Sequence, residues 1–153
     1  MKTQTIAVNR KAYHDYHILD SVEAGLVLTG TEIKSVRGGK VNLREAYARP
    51  EGGELWLLNA HIAPYDAGNR HNHEALRPRK LLLHRQQIYE LSQKIAQKGL
   101  TLVPLKLYIK DSLAKVEVGL ARGKRVYDKR QTMISREAER ELDRARKFVI
   151  SGR

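Results

Sequence analysis

Histidines, carboxylates and one lysine-bearing glycine turn are the residues of this 153-residue chain whose types could do chemistry. Gly39-Lys40 looks like the end of a phosphate-binding loop. Val41, however, stands where such a loop needs a Ser or Thr hydroxyl, and the upstream glycine spacing is wrong. His14-Asp15-x-His17 and His71-x-His73 could each begin a metal site, but neither has a third ligand at workable spacing. Both read better as surface or groove histidines. Glu23, Glu32 and Glu45 are scattered, with nothing to pair them for acid–base work, and there is no G-x-S-x-G or H-E-x-x-H. The absence of cysteine removes thiol catalysis, thiolate metal sites and disulfides together. The sequence therefore predicts no catalytic residue, no metal and no cofactor.

Binding chemistry is better represented. Lys and Arg number 29 against 17 Asp and Glu, a formal charge of +12, which points to a polyanionic partner, either nucleic acid or an anionic membrane surface. Seven tyrosines against one phenylalanine favour rings that can stack on a base and still keep a polar end. Tyr13, His14, Tyr16 and His17 follow Asn9-Arg10-Lys11, interleaving aromatics with cations. Tyr16 and Tyr47 read equally well as half-buried strand residues. The charge is uneven: residues 122–153 carry 11 Lys and Arg against 5 acids, and residues 1–121 carry 18 against 12, a net +6 each. A body and a basic arm are expected, 1–121 and 122–153. Arg122, Lys124, Arg125, Lys129 and Arg130 are dense enough to need a compensating anion. About five phosphate contacts there would give a log K against log salt slope of about −4 to −5 on duplex-like nucleic acid.

The elements that must position these residues are mostly strands. Short β-type runs are expected at 16–20 and 24–29, joined through Ser21, Val22 and Glu23, and at 54–62 in a hairpin with 41–49 across Pro50-Glu51-Gly52-Gly53. Residues 100–109 alternate with a slip at Pro104, which marks a bulge or an edge. In 114–120, Ala114, Val116, Val118 and Leu120 point one way, with Lys115 and Glu117 on the polar face. Ile88, Leu91 and Ile95 predict a helix over 84–98 stopped by Gly99, and a shorter one is expected over Thr31–Arg37. Residues 63–80 read as a long surface loop. A small OB-like barrel suits this pattern, as do other small α+β folds. In the arm, 135–149 has a Ser cap, acids in its first turn and cations in its last, but only a thin apolar stripe. That segment is expected to be disordered alone and helical when docked, and its stripe is too thin for insertion into a membrane. No apolar run approaches the ~18–20 residues of a membrane span, and the N-terminal MKTQTIAVNRK has no signal-like core, so a cytoplasmic protein is expected.

Six blocks carry a resemblance: Asn9 to Tyr16, Glu23-Ala24-Gly25, Gly30 to Ser35, Arg79 to Leu83, Gly119 to Lys124 and Tyr127-Asp128-Lys129-Arg130. In this order they resemble the SsrA-binding protein (small protein B) family, bacterial partners of transfer-messenger RNA. The resemblance implies a six-stranded OB-type barrel with about three helices and a C-terminal tail, non-catalytic and monomeric. It implies binding to the tRNA-like end of transfer-messenger RNA, with alanyl-tRNA synthetase and elongation factor Tu engaged through that RNA. It also implies delivery to ribosomes stalled without a sense codon, where the tail folds in the decoding centre and the empty messenger channel against small-subunit rRNA. Asn9, Glu23, Leu82 and Lys115 fall on the family's RNA contacts, and Arg10, Lys11, Tyr16 and Lys34 are expected to complete that surface. Arg122, Gly123, Lys124, Arg125, Tyr127, Asp128, Lys129 and Arg130 fall on the ribosome-contacting tail. A generic basic OB-type ribosomal or RNA-processing module is the alternative.

Overall fold

Alternating apolar residues close into a barrel. The structure, a computed structural model, describes residues 3–65 and 72–124, together with Arg136 and Arg140. Among these, nine strands and three helices follow in order. They are β1 (Thr3–Val8), α1 (Arg10–Asp15), β2 (Tyr16–Leu26), α2 (Gly30–Arg37), β3 (Val41–Asn42), β4 (Tyr47–Glu51), β5 (Glu54–Leu58), β6 (His61–Ile62), β7 (Arg79–Leu82), α3 (Arg85–Lys98), β8 (Thr101–Lys110) and β9 (Leu113–Gly123). The large sheet runs β1-β8-β4-β5-β7-β2-β9, and β8 also pairs with β9. That extra pairing closes β8, β4, β5, β7, β2 and β9 into the expected six-stranded antiparallel OB-type barrel, with β1 continuing along the β4 edge of β8. Leu55, Leu57, Leu81, Leu102, Leu107, Val116 and Val118 fill its interior, almost completely buried. Each such side chain contributes roughly 1.5–3 kcal/mol of hydrophobic stabilisation.

Several local expectations hold for the reasons given. Gly52 and Gly53, both at positive φ (61° and 77°), make the two-residue turn between β4 and β5. Pro104 starts a register shift in the β8–β9 ladder that ends at Lys106. The residue left over, Leu105, presses on Gly119: a Cβ there would sit 2.8 Å from Leu105 Cδ1. Gly99, at φ 63°, ends α3 in the left-handed conformation, and Ile88 is that helix's buried anchor. α2 starts at a capping box between Thr29 and Glu32.

Other expectations change. The runs at 16–20 and 24–29 are one strand, because β9 pairs with β2 from Tyr16 to Gly25 and carries it through Ser21, Val22 and Glu23. The irregularity between Ile18 and Asp20 pushes Leu19 out to solvent. The 54–62 run is broken by Asn59 at φ 60°, so β6 leaves the barrel to pair with β3. The end of the 63–80 loop is a barrel strand: β7 bridges β5 and β2. β1, whose TQTIAV has no apolar alternation, and α1, a helix of only six residues, were not expected.

The chain divides into two compact units, Met1–Gly123 and Lys124–Arg153. Arg122 and Gly123 are ladder residues of β9, opposite His17 and Tyr16. In the second unit Arg136 and Arg140 are helical, and the rest of the helix expected over 135–149 lies outside the described residues.

Candidate nucleic-acid interface

Ladder register brings distant residues into rows on the barrel's outer face. Leu82 of β7 stands opposite Gly25 of β2, Gly25 opposite Lys115 of β9, and Lys115 opposite Tyr108 of β8. With only hydrogen at Gly25, the Leu82 side chain lies across that position; a Cβ added there would be 3.3 Å from Leu82 Cβ. Leu82 is 52% exposed, an unusual state for a leucine in a barrel strand. One row further, Glu23 faces Glu117, which faces Lys106. Glu23, Leu82 and Lys115 line one groove of about 390 Å3 with Gly25, His84 and Gln87. The Tyr108 hydroxyl donates a short hydrogen bond to Glu23 Oε2, and Lys110 Nζ lies 3.6 Å from the same oxygen. The Tyr108 bond holds the Glu23 carboxyl below its ordinary pKa against a smaller effect of burial, helped by Lys110 and Lys115. Burial, then Glu23, push the Tyr108 hydroxyl well above its usual range. The groove thus offers an exposed apolar side chain, a cation and an ionised carboxylate whose Oε1 has no hydrogen-bond partner among the described residues.

The remaining expected RNA-binding residues lie elsewhere. Asn9, expected as an RNA contact, is 3% exposed and spent on the fold. Its Nδ2 donates to Leu43 O at 3.0 Å and to Pro104 O at 2.9 Å, while Oδ1 caps α1 at the Ala12 amide. Asn9 therefore holds α1 against the bulge of β8 and has no side-chain donor left for a ligand. Lys11 pairs with Glu45 at 2.7 Å, and with Tyr16 and Arg44 it lines a separate cleft of about 190 Å3. Tyr16 is half-buried there on Ala12, Val103 and Ala121. Arg10 is exposed at the start of α1. Lys34 lies on α2, its ammonium 5.4 Å from the Tyr65 ring centre. Of the tail residues, Arg122, Gly123 and Lys124 are described; Arg125, Tyr127, Asp128, Lys129 and Arg130 lie outside the described residues.

The family model described as "SmpB protein" matches residues 6–148. The chain belongs to the SmpB protein family. An SsrA-binding protein of Carboxydothermus hydrogenoformans is 62% identical over 140 residues, covering 92% of this chain and 94% of the relative. One from Geobacillus kaustophilus is 58% identical over 142 residues, covering 93% and 92%. A solved structure described as "tmRNA-SmpB: a journey to the center of the bacterial ribosome" superimposes with a TM-score of 0.67 at 50% identity, covering 83% of this chain and 93% of that one.

Within this SmpB-family chain the Gly30–Ser35 block does structural work that its charges conceal. Glu32 is completely buried and receives hydrogen bonds from Arg77, from the Thr29 amide and from the equally buried Arg79. Burial alone would raise its pKa; the bonds from Arg77, Thr29 and Arg79 outweigh it and hold the carboxyl at about 2. Arg79 also donates to Ala60 O at 2.6 Å and Ala75 O at 3.1 Å, tying the segment before β7 to the barrel. His73 adds a second brace. Its Nε2 donates to the Ile62 carbonyl at 2.9 Å, which leaves Nδ1 to accept from Thr31 Oγ1 at 2.9 Å. Both ring nitrogens are engaged, and among the described residues no group of three His, Asp or Glu could hold a metal. Among those residues no helix is long and apolar enough to cross a membrane. Tyr108 and Lys110, partners of Glu23, are not among the residues expected from sequence; their only signal there is the outward phase of Lys106, Tyr108 and Lys110 in the alternating run.

Proposed function

We propose that this chain is the RNA-binding adaptor of trans-translation. It binds the tRNA-like end of transfer-messenger RNA through the barrel face at Glu23, Leu82 and Lys115. Alanyl-tRNA synthetase and elongation factor Tu act on the same RNA, and the complex is delivered to stalled ribosomes for rescue and tagging. The observation that carries the reading is the groove that brings those three residues together from three strands, in a chain of this family. The chemistry suits a folded RNA. Lys115 neutralises a phosphate, Glu23 Oε1 accepts from an amino or imino edge of a base, and Leu82 covers the face of a sugar or base. Binding and positioning are all the role requires, so the chain supplies no catalytic group. It acts as a cytoplasmic monomer. The basic tail beyond the Arg122–Gly123 end of β9, Lys124 to Arg130, enters the decoding centre and empty messenger channel, where its cations meet small-subunit rRNA and Tyr127 stacks on a base.

Competition at physiological salt tests the reading. Transfer-messenger RNA should displace unrelated structured RNAs, and equal affinity for all of them would instead favour a generic basic module. Lys115→Ala should cost ~1–3 kcal/mol of binding, while truncation after Lys124 should spare RNA binding and abolish tagging. Intact tagging by the truncated chain would refute the tail's role.

A further inference from the structure

Beside the Glu23–Lys115 groove lies a larger one of about 570 Å3, between the β4–β5 turn, β7 and the first turns of α3. Leu82 and Leu83 line both, so the two form one continuous surface. Its size lies in the ~300–1,000 Å3 range of sites that enclose a small-molecule-sized group. Gly52 and Gly53 leave one rim open: a Cβ at either would meet nothing within 4 Å. On the α3 side Tyr89 is 61% exposed, a large aromatic left in water. Arg85, one helical turn before it, is exposed and has no ion-pair partner among the described residues. On the β7 side Lys80 pairs with Glu54 at 2.8 Å. An aromatic plane, an unpaired guanidinium and an apolar floor are what a splayed-out nucleotide requires: stacking for the base and a fork for the phosphate.

We propose that this groove is a second RNA subsite, taking one unpaired nucleotide of the RNA held at Glu23, Leu82 and Lys115, with Tyr89 stacking on its base and Arg85 holding its phosphate. The proposal rests on the RNA-binding reading above and extends it from a backbone-and-edge contact to capture of a single-stranded base. The open cation beside the ring disfavours an apolar peptide, and the continuity of the groove with a surface already assigned to RNA favours a nucleotide over an acidic peptide.

The test uses the full chain and the tRNA-like fragment of transfer-messenger RNA, with Kd measured across a salt series. Tyr89→Ala should weaken binding about 5- to 150-fold, the range of one base–aromatic stack, and Tyr89→Phe, which keeps the ring, should restore it. Arg85→Ala should lower the magnitude of the log K against log salt slope by about 0.7, one single-strand phosphate contact. Both positions are exposed, and unchanged circular dichroism should show the variants folded. If Tyr89→Ala stays within two-fold of wild type while Lys115→Ala weakens binding, the subsite is wrong and the RNA-binding reading stands, whatever else the groove accepts. If neither substitution weakens binding, the RNA-binding reading has failed, and this proposal with it.

Discussion

Replacing Glu32 by Gln keeps its shape and removes its charge, leaving the buried Arg79 guanidinium and its neighbour Arg77 without a counter-ion. Two routes give the cost. Removing one partner of a buried ion pair typically costs ~3–5 kcal/mol, because the remaining charge is desolvated and uncompensated. Independently, a carboxyl whose ordinary value is 4.5 and whose folded value is about 2 gains about 3 kcal/mol from ionising in the fold. Against a typical stability of ~5–15 kcal/mol, Glu32→Gln should remove roughly a fifth to three fifths of the barrel's stability at neutral pH. The pH dependence carries a definite sign. A depressed folded pKa stabilises above the unfolded value, so the full effect is present above pH 4.5 and is lost as pH falls from 4.5 towards about 2. Urea unfolding of wild type and Glu32→Gln at pH 7, 5, 4 and 3 measures the gap directly. It should be about 3 kcal/mol at pH 7 and shrink steadily below pH 5. Glu32→Gln/Arg79→Met should recover part of the loss, since the fully buried charge is gone and Arg77, the cation that remains, is partly exposed. A gap under about 1 kcal/mol at pH 7, or one that does not change with pH, would mean that Arg79 does not depend on the Glu32 charge.

Two further predictions follow from single contacts. Gly119→Ala places a methyl group 2.8 Å from Leu105 Cδ1 and should destabilise the barrel by ~1–3 kcal/mol; an unchanged denaturation midpoint would mean that the bulge at Leu105 yields. Tyr108→Phe removes the largest influence lowering the Glu23 pKa, so that carboxyl should titrate closer to its ordinary value in a carboxyl-detected NMR titration. If Glu23 does not move, Lys110 and Lys115 rather than the phenol control its ionisation.

Reading a strand from its own residues works where the cause is local. The 114–120 alternation, the slip at Pro104, the Gly52-Gly53 turn and the Gly99 stop all depend on side-chain period or on the φ of one residue, and each is where it was expected. β2 and β7 were misjudged because their continuity comes from partners: β9 carries the strand through Ser21–Glu23, and β5 and β2 together make Arg79–Leu82 a strand rather than the end of a loop. The same division runs through the site. Residue types alone put Lys115 on a polar face, and the motif blocks alone marked Glu23 and Leu82.

Residue types and their order were enough for the sign and uneven distribution of charge, the alternation that makes strands, the family, and the absence of cysteine chemistry. Which of the marked residues share a surface depends on the folded barrel. Leu82, Gly25, Lys115 and Tyr108 come from four strands and meet through ladder register, which no local pattern encodes. Leu82 is exposed because its phase on β7, opposite to that of buried Leu81, turns it outward over Gly25, whereas Asn9, polar and next to two cations, is buried because the carbonyls of Leu43 and Pro104 need its amide. Glu32, one of the scattered carboxylates of the sequence, is the counter-ion of a buried arginine 47 residues away. Closure of the barrel makes these assignments, because it sets which backbone groups and charges are cut off from water and must find partners within the fold.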